Sequence, residues 1–263
     1  MPSLEDLVRP SEYPRSSGYD PAWVVALDMG PHPLWLLEDL AEDLELEPGM
    51  RVLDLGSGLG ATSVFLAREF GVEVFAVDLW VPAADAARTF AEAGVGDRVV
   101  ALHADARELP FAPGFFDAVV SVDAFEYFGT DDNYLPYLAG FVVPGGQIGI
   151  AAPALTREVR DLGGIPDHVY ACVGAEGLAW HTPEWWRAHW ESTRLVSVTS
   201  ARLQPRGWEN WLLWSRVCRD HNAASDYDID DVIEMLEADG GRLLSFALVT
   251  ARTEAAGVAA APG

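Results

Sequence analysis

The chain has 263 residues, about half of them apolar, and a formal net charge of −24. This length and apolar content allow one substantial core, so we expect a single structural domain of the α/β kind with added segments. A surface this negative repels phosphate backbones and anionic lipid, so we expect neither nucleic acid nor a membrane surface as a partner.

The residue types that are missing exclude further classes of reaction. Apart from histidine, every basic residue is arginine, so a P-loop lysine and a lysine Schiff base with pyridoxal phosphate are both impossible. Cys172 and Cys218 lack metal-ligand spacing, and we expect no metal site. The first residues are acidic, and no run of about 18 apolar residues occurs, so we expect a cytoplasmic protein.

Residues 1–50 predict a helical cap or lid that precedes the sheet. An Asp-Pro pair at Asp20 is typical of a helix start, and a second helix should follow Pro33. The apolar residues of that second helix keep helical spacing, at Leu34, Leu37, Leu40 and Leu44. Three residues of this region either contact a ligand or pack the helices: Tyr19, Trp23 and Met29.

From Arg51 onward, strand and helix patterns alternate, which indicates a parallel sheet with helices on both faces. Strands are predicted near 51–55, 73–79, 98–103, 116–122, 146–152, 195–203 and 243–252. Helices are predicted near 60–70, 81–94 and 131–142, the last capped by Thr130, with two more beginning at Thr182-Pro183 and after the cap residue Asp228. The last two strands form a hairpin that closes the sheet.

The stretch Val52-Leu53-Asp54-Leu55-Gly56-Ser57-Gly58-Leu59-Gly60 predicts a buried strand, a tight turn and a helix start. Missing side chains at the glycines let a ligand lie against backbone N–H groups and a helix N-terminus. The spacing also fits a dinucleotide-binding turn, so this stretch alone leaves the ligand open. Asp54 would repel a diphosphate and attract an ammonium group, which favours a partly cationic ligand.

The segments at the ends of the later strands also contain residues that suit a ligand site. Strand 73–79 ends at Asp78, an acid 22 residues after Gly56, which suits ribose hydroxyls in either kind of site. His103-Ala104-Asp105-Ala106-Arg107-Glu108-Leu109-Pro110-Phe111 follows the third strand, and Phe116 to Asp123 and Val143-Pro144-Gly145-Gly146 follow in order. Together with the glycine turn, this series resembles the class I S-adenosylmethionine-dependent methyltransferases, in their small-molecule, ubiquinone-biosynthesis-like or cyclopropane-synthase-like branch.

The resemblance implies a Rossmann-like, doubly wound α/β fold with a seven-stranded sheet, mostly parallel with an antiparallel last strand, and with lid insertions. It also implies S-adenosyl-L-methionine as cofactor. The residues implied to bind it are Asp54, Gly56, Ser57, Gly58, Gly60, Asp78, Leu79, Trp80, Asp105, Ala106 and Asp123.

The remaining segments are interpreted as decorations of one methyltransferase domain over 51–263, with insertions near 155–181 and 204–242. Three stretches lack the regular period of the sheet and are candidate lids: 1–20, 156–180 and 204–227. The tail from Ala255 to Gly263 is expected to be disordered coil.

Methyl transfer needs an acceptor held close to the methyl group and, for a hydroxyl or a protonated amine, a base. Glu126 is the candidate base, Tyr127 the orienting donor and His181 a further candidate base. The alternatives are an exposed loop acid for Glu126 and a histidine of the cap region or the core for His181. The late tryptophans either line an acceptor pocket or pack the core.

The function predicted is methyl transfer to a small, partly apolar molecule. The alternative is a cofactor-binding protein on this fold that does not methylate, and the oligomeric state is left open.

Overall fold

The computed structural model describes residues 11–221 and 227–254. Its centre is a seven-stranded sheet in the order β3-β2-β1-β4-β5-β7-β6. The strands are β1 (Arg51–Leu55), β2 (Glu73–Asp78), β3 (Val99–His103), β4 (Phe116–Val122), β5 (Val142–Leu155), β6 (Val196–Leu203) and β7 (Leu244–Thr253). Strands β1 to β5 pair in parallel, and β7 runs antiparallel to both β5 and β6, which confirms the predicted fold class.

Helices cover both faces of the sheet. They are α1 (Pro21–Ala26), α2 (Pro33–Ala41), α3 (Ala61–Phe70), α4 (Ala83–Glu92), α5 (Tyr134–Ala139), α6 (Val159–Leu162), α7 (Asp167–Val173), α8 (Pro183–Ser192), α9 (Gly207–Asp220) and α10 (Ile229–Asp239). Because side chains alternate along a strand, β1 sends Val52 into one core with α2, α3 and α9, and Leu53 into the other core with α5 and α8. Burial on both faces explains why the central strands are nearly continuous apolar runs.

The order of the strands places the candidate site. The chain winds outward from β1 to β3 and then returns to the other side of β1 as β4. At such a reversal the carboxyl ends of neighbouring strands leave a crevice between their connections. The glycine turn after β1 and the segment after β4, which begins at Asp123, therefore face each other.

One predicted helix starts later than expected. The prediction that Thr130 caps a helix over 131–142 is wrong, because α5 runs only from Tyr134 to Ala139 and Asn133 precedes it without a side-chain cap. Pro136 explains the difference, since proline lacks an N–H and is tolerated only in the first turn of a helix. Strand β5 is also longer than predicted and extends from Val142 to Leu155.

The candidate lids have regular structure where the structure describes them. Residues 156–180 contain α6, α7 and the short 3₁₀ turn Gly174–Ala179. In the segment 204–227, α9 buries Trp211, Trp214 and Cys218 at helical spacing, so core packing is the correct interpretation of these residues. Residues 1–10, 222–226 and the tail from Ala255 lie outside the described residues, as do the lid and disorder predictions that fall on them.

Within the described ranges, none of the helices combines the length and the apolar character needed to cross a membrane.

Candidate functional site

A cavity of about 310 Å³ opens at the carboxyl edge of the sheet, between the connections that follow β1, β2, β3 and β4. Residues 27–32, which join α1 and α2, form its other side together with Pro33 at the start of α2, and we call residues 27–33 the cover loop. The lining residues are Leu27, Met29, Gly30, Pro31, Pro33, Leu55 to Thr62, Val77 to Trp80, Ala104 to Arg107, Val122 to Ala124, Tyr127 and Phe128. The cavity thus brings together most of the residues that the sequence predicts for a cofactor.

The glycine turn forms the floor of the cavity. Gly56, Gly58 and Gly60 have φ angles of 78°, 53° and 95°, a region that side chains disfavour. The N–H groups of Gly56 and Ser57 both donate to the carbonyl oxygen of Val77, at 2.8 and 3.1 Å, and so hold the turn against β2. A Cβ atom at Gly56 would lie 2.2 Å from the Cβ of Ala124, so the turn has no room for a side chain there.

Asp54 lies beneath this turn and not among the lining residues. It is fully buried, and its Oδ2 accepts hydrogen bonds from the hydroxyls of Thr62 and Ser63 at 2.6 and 2.5 Å, at the start of α3. Its Oδ1 has no hydrogen-bond partner among the described residues. Burial raises the pKa of Asp54 to about 6. Asp54 therefore holds the glycine turn against the first turn of α3.

Asp78 and Asp105 line the cavity at the ends of β2 and β3. Asp78 Oδ2 accepts from the N–H of Gly58 at 2.8 Å, while its Oδ1 accepts from the N–H groups of Trp80 and Val81. This one carboxylate therefore ties the turn after β1 to the turn after β2. Asp105 Oδ1 accepts from the backbone N–H and the Nε of Arg107, at 2.9 and 3.1 Å.

Asp123 directly follows β4 in a left-handed conformation, with φ 53°, and lines the cavity. The carboxyl packs against the cover loop, because a Cβ atom at Gly30 would lie 2.5 Å from Asp123 Oδ2. Burial raises the pKa of Asp123 well above its usual range, and the nearby charges of Glu126 and Asp28 raise it further.

The cover loop is anchored to distant parts of the chain. Asp28 is buried and accepts hydrogen bonds from Trp214 Nε1 at 2.9 Å and from the hydroxyl of Tyr227 at 2.8 Å. This anchor holds Met29 over the glycine turn, where a Cβ atom at Gly58 would lie 2.7 Å from Met29 Sδ. Of the two roles that the sequence allowed for Met29, ligand contact and helix packing, its position over the glycine turn favours ligand contact.

Tyr19 and Trp23, by contrast, pack away from the cavity. Tyr19 stacks on Trp23 and lies against Phe65, and its hydroxyl contacts Glu69. Leu27, Gly30, Pro31 and Pro33 also line the cavity, although the sequence did not predict them as site residues. The available signal was the Gly-Pro-His-Pro run between two helices, a composition typical of a fixed loop.

We expect Tyr227→Phe to loosen the cover loop. The change removes one donor from the buried carboxyl of Asp28, and hydrogen bonds to charged groups contribute about 1.5 to 3 kcal/mol. The free energy of unfolding in urea should fall by an amount of this order. Tyr170→Phe is the matched control, because the Tyr170 side chain is 60 % exposed. Equal stability of both variants would show that the Asp28 contact does not hold the loop.

The three predicted catalytic residues occupy different places. Tyr127 lines the cavity, is 46 % exposed and has its ring centroid 5.0 Å from that of Trp80. Glu126 is buried and lies outside the lining set, and its Oε2 has no hydrogen-bond partner among the described residues. His181 is also outside the lining set, because it stacks on Trp185 and its Nδ1 lies 2.9 Å from Glu158 Oε2. The structure does not bring Glu126 or His181 to the cavity.

The buried Glu126 should make stability depend on pH. Burial, together with the nearby charge of Glu176, raises its pKa to about 8. An unfolded Glu titrates near pH 4.3, so between about 4.3 and 8 the folded chain keeps a proton that the unfolded chain has lost. The free energy of unfolding should therefore fall as pH rises through this window, by at most about 1.4 kcal/mol per pH unit.

Glu126→Gln cannot ionise and should lack this contribution to the slope. Urea unfolding of the wild type and the variant across the window measures the difference, and Glu92→Gln, on the exposed end of α4, is the control. Parallel curves for the wild type and Glu126→Gln would mean that Glu126 is ionised in the folded chain.

The late tryptophans pack the two cores and do not line the cavity. Trp186 and Trp190 are fully buried on α8 with Phe125, and Trp214 is fully buried on α9. The open interpretation of an aromatic acceptor pocket is thus not supported for these residues.

Three features define the class of protein: a doubly wound sheet, a glycine turn at its switch point, and acids at or just after the ends of β2, β3 and β4. It is a Rossmann-like protein with a site for a nucleoside-type cofactor. Comparison with known proteins then gives the family. Residues 52–146 match the family model described as a methyltransferase domain.

The demethylmenaquinone methyltransferase of Thermus thermophilus is 40 % identical over 110 residues, which are 41 % of this chain and 50 % of that protein. Phosphoethanolamine N-methyltransferase 2 of Haemonchus contortus, solved with S-adenosyl-L-methionine, has a TM-score of 0.71 at 20 % identity, and the alignment covers 97 % of this chain and 60 % of that one. The [4+2]-cyclase SpnF has a TM-score of 0.67 at 18 % identity, with 97 % of each chain covered.

The region 52–146 of this chain therefore matches a methyltransferase domain, and the chain has the fold of S-adenosylmethionine-dependent methyltransferases. It spans half or less of the length of the first curated relatives it matches.

Proposed function

We propose that the protein transfers the methyl group of S-adenosyl-L-methionine to a small, partly apolar molecule. The observation that carries the proposal is the cavity itself, which joins the glycine turn to Asp78 and Asp105. The family match to residues 52–146 supports the choice of this cofactor over a dinucleotide.

The residues of the cavity fit such a cofactor. Ser57 Oγ is buried in the wall without a hydrogen-bond partner among the described residues, which is typical of a group that binds a ligand. Asp78 would hold the ribose hydroxyls, with Leu79 and Trp80 beside the adenine. Asp105 and the N–H of Ala106 would hold the adenine edge. Gly56, Gly58 and Gly60 would let the methionine end approach the backbone.

When bound, the cofactor supplies an activated methyl group on a positively charged sulfur. The chain's own contribution is to orient the acceptor and to exclude water. Met29 and the cover loop close the cavity over the glycine turn, while Tyr127 and Phe128 give its mouth an aromatic surface.

Calorimetry with S-adenosylhomocysteine and with NADH tests the choice of cofactor. We expect S-adenosylhomocysteine to bind and NADH not to bind, and binding of NADH alone would overturn the assignment. Incubation with methyl-labelled cofactor and a metabolite panel then tests the activity, and transfer of label with stoichiometric S-adenosylhomocysteine is the expected result.

The second candidate is a protein that binds this cofactor without methylating. The fold match to a [4+2]-cyclase over 97 % of both chains supports this candidate. Tight binding of S-adenosylhomocysteine with no transfer to any acceptor would support this candidate. The division into a cap over 1–50 and a domain over 51–263, the cytoplasmic location and the absence of a nucleic-acid partner stay predictions.

A further inference from the structure

Asp123 is an acid of the cavity wall to which the proposed contacts give no role. It directly follows β4, and its carboxyl accepts no hydrogen bond from any of the described residues. The other two acids among the lining residues do have protein partners. Asp78 accepts from backbone N–H groups, and Asp105 accepts from the backbone N–H and the Nε of Arg107. A polar group that faces a cavity without a partner is typical of a group that binds a ligand.

The neighbours of Asp123 place it beside the glycine turn. The next residue, Ala124, packs against that turn, since a Cβ atom at Gly56 would lie 2.2 Å from the Cβ of Ala124. From the other side, a Cβ atom at Gly30 in the cover loop would lie 2.5 Å from Asp123 Oδ2. Asp123 therefore lies where the segment after β4 meets both the cover loop and the glycine turn. This is the end of the cavity proposed for the methionine end of the cofactor.

The charged groups that act on Asp123 within the described chain are acidic. Burial raises the pKa of Asp123, and Glu126 from its own turn and Asp28 from the cover loop raise it further. The remaining titratable neighbour, the hydroxyl of Tyr127, carries no positive charge either. Without a cation beside it, the Asp123 carboxyl therefore keeps its proton at neutral pH.

We infer that Asp123 recognises the positive charge of the cofactor's methionine end, and that it becomes ionised for this contact by releasing a proton when the cofactor binds. The inference rests on the proposed function, from which it takes the cofactor. S-adenosyl-L-methionine carries an ammonium and a sulfonium group at this end, and either one stabilises an ionised carboxylate in a buried site. The released proton passes to the buffer, so one positive charge replaces another beside Asp123.

Calorimetry in two buffers of different ionisation enthalpy counts the protons released, because the buffer that takes up each proton adds its own heat. At about pH 6.5 an α-amino group keeps its proton, so the ligand itself releases none. We expect release of about one proton with S-adenosyl-L-methionine. Methylthioadenosine keeps the adenine and the ribose but has no charged methionine end, so it should bind without release. S-adenosylhomocysteine keeps the ammonium but not the sulfonium, and it tells which of the two groups Asp123 contacts.

The affinity of the wild type should also depend on pH. The proton and the cation compete for one carboxylate, so a higher pH favours the cofactor. We expect the affinity for S-adenosyl-L-methionine to rise by up to about tenfold from about pH 6 to about pH 7. This measurement and the comparison of ligands need no variant.

Asp123→Asn has nearly the same shape but cannot ionise. Proton release should disappear in this variant, and its affinity for S-adenosyl-L-methionine should fall by about tenfold. Glu126→Gln removes the buried carboxyl next to Asp123 and should keep the release. Asp132→Asn is the matched control for surface charge, because the Asp132 side chain is 95 % exposed and lies outside the cavity lining. We expect it to behave like the wild type.

The other outcomes overturn the inference. Binding of S-adenosyl-L-methionine without proton release would show that Asp123 keeps its proton, while leaving the proposed function intact. Release that persists in Asp123→Asn, that disappears in Glu126→Gln, or that is equally large with methylthioadenosine would assign the proton to another group. Failure of all three ligands to bind removes the proposed function and this inference together.

Discussion

Gly56→Ala should lower the free energy of unfolding by about 3 kcal/mol and abolish binding of S-adenosylhomocysteine. The backbone at Gly56 has φ 78°, which costs a residue with a side chain about 1 to 2 kcal/mol. The new methyl would also lie 2.2 Å from the Cβ of Ala124, and overpacking of this kind costs about 1 to 3 kcal/mol. Relief requires β1 and β4 to separate at their carboxyl ends, which distorts the floor of the cavity.

Gly145→Ala is the matched control for this prediction. Gly145 has almost the same φ, 79°, but a Cβ atom there would meet nothing within 4 Å. The control should therefore show the conformational cost alone, about 1 to 2 kcal/mol, and unchanged binding. Urea unfolding and calorimetry with S-adenosylhomocysteine measure both variants. Equal losses in the two would mean that contact with Ala124 is not what requires glycine at position 56.

Asp78→Ala should weaken binding of S-adenosylhomocysteine by about 1.5 to 3 kcal/mol, a loss of roughly ten- to a hundredfold. The carboxylate accepts from the N–H groups of Gly58, Trp80 and Val81, so its removal frees two turns of the cavity wall at once. The ribose contacts proposed for Asp78 are lost as well. This single change should therefore affect binding more than other polar substitutions in the wall.

Asp78→Asn separates charge from shape. The amide fills the same volume, but its NH₂ group cannot accept from a backbone N–H, so we expect a smaller loss of the same sign. Asp97→Ala, on an exposed turn before β3, is the control and should bind like the wild type. Unchanged affinity in Asp78→Ala would be evidence that the ligand lies elsewhere.

The parallel sheet could be predicted because its strands are buried on both faces. Such burial demands continuous apolar runs, and those runs end in glycine or acid where the chain turns at the carboxyl edge, as at Gly56 and Asp78. Most of the cavity's lining was predictable for the same reason. The direction in which a side chain points from a short turn was not predictable in this way. Glu126 and Tyr127 are neighbours in the turn Phe125–Tyr127, yet one is buried behind the wall and the other lines the cavity.

The cover loop was the least predictable part of the site. Its position depends on Asp28, whose partners Trp214 and Tyr227 are 186 and 199 residues away in the chain. The spacing of apolar residues predicts only which face of a helix or strand is buried. It therefore cannot predict a contact between residues so far apart in the chain. The same limit applies to Asp54, whose burial depends on α3 folding back over the turn.

The anchor at Asp28 has a consequence for how such a protein can diversify. The region that matches the methyltransferase domain family, 52–146, supplies most of the residues that line the cavity, whereas the cover loop and its anchors lie before and after that region. Substitutions at Leu27, Met29 or Pro31 can therefore reshape the space above the glycine turn without touching the floor. A related protein that keeps the glycine turn but has a different cover loop would bind the same cofactor and accept a different methyl acceptor.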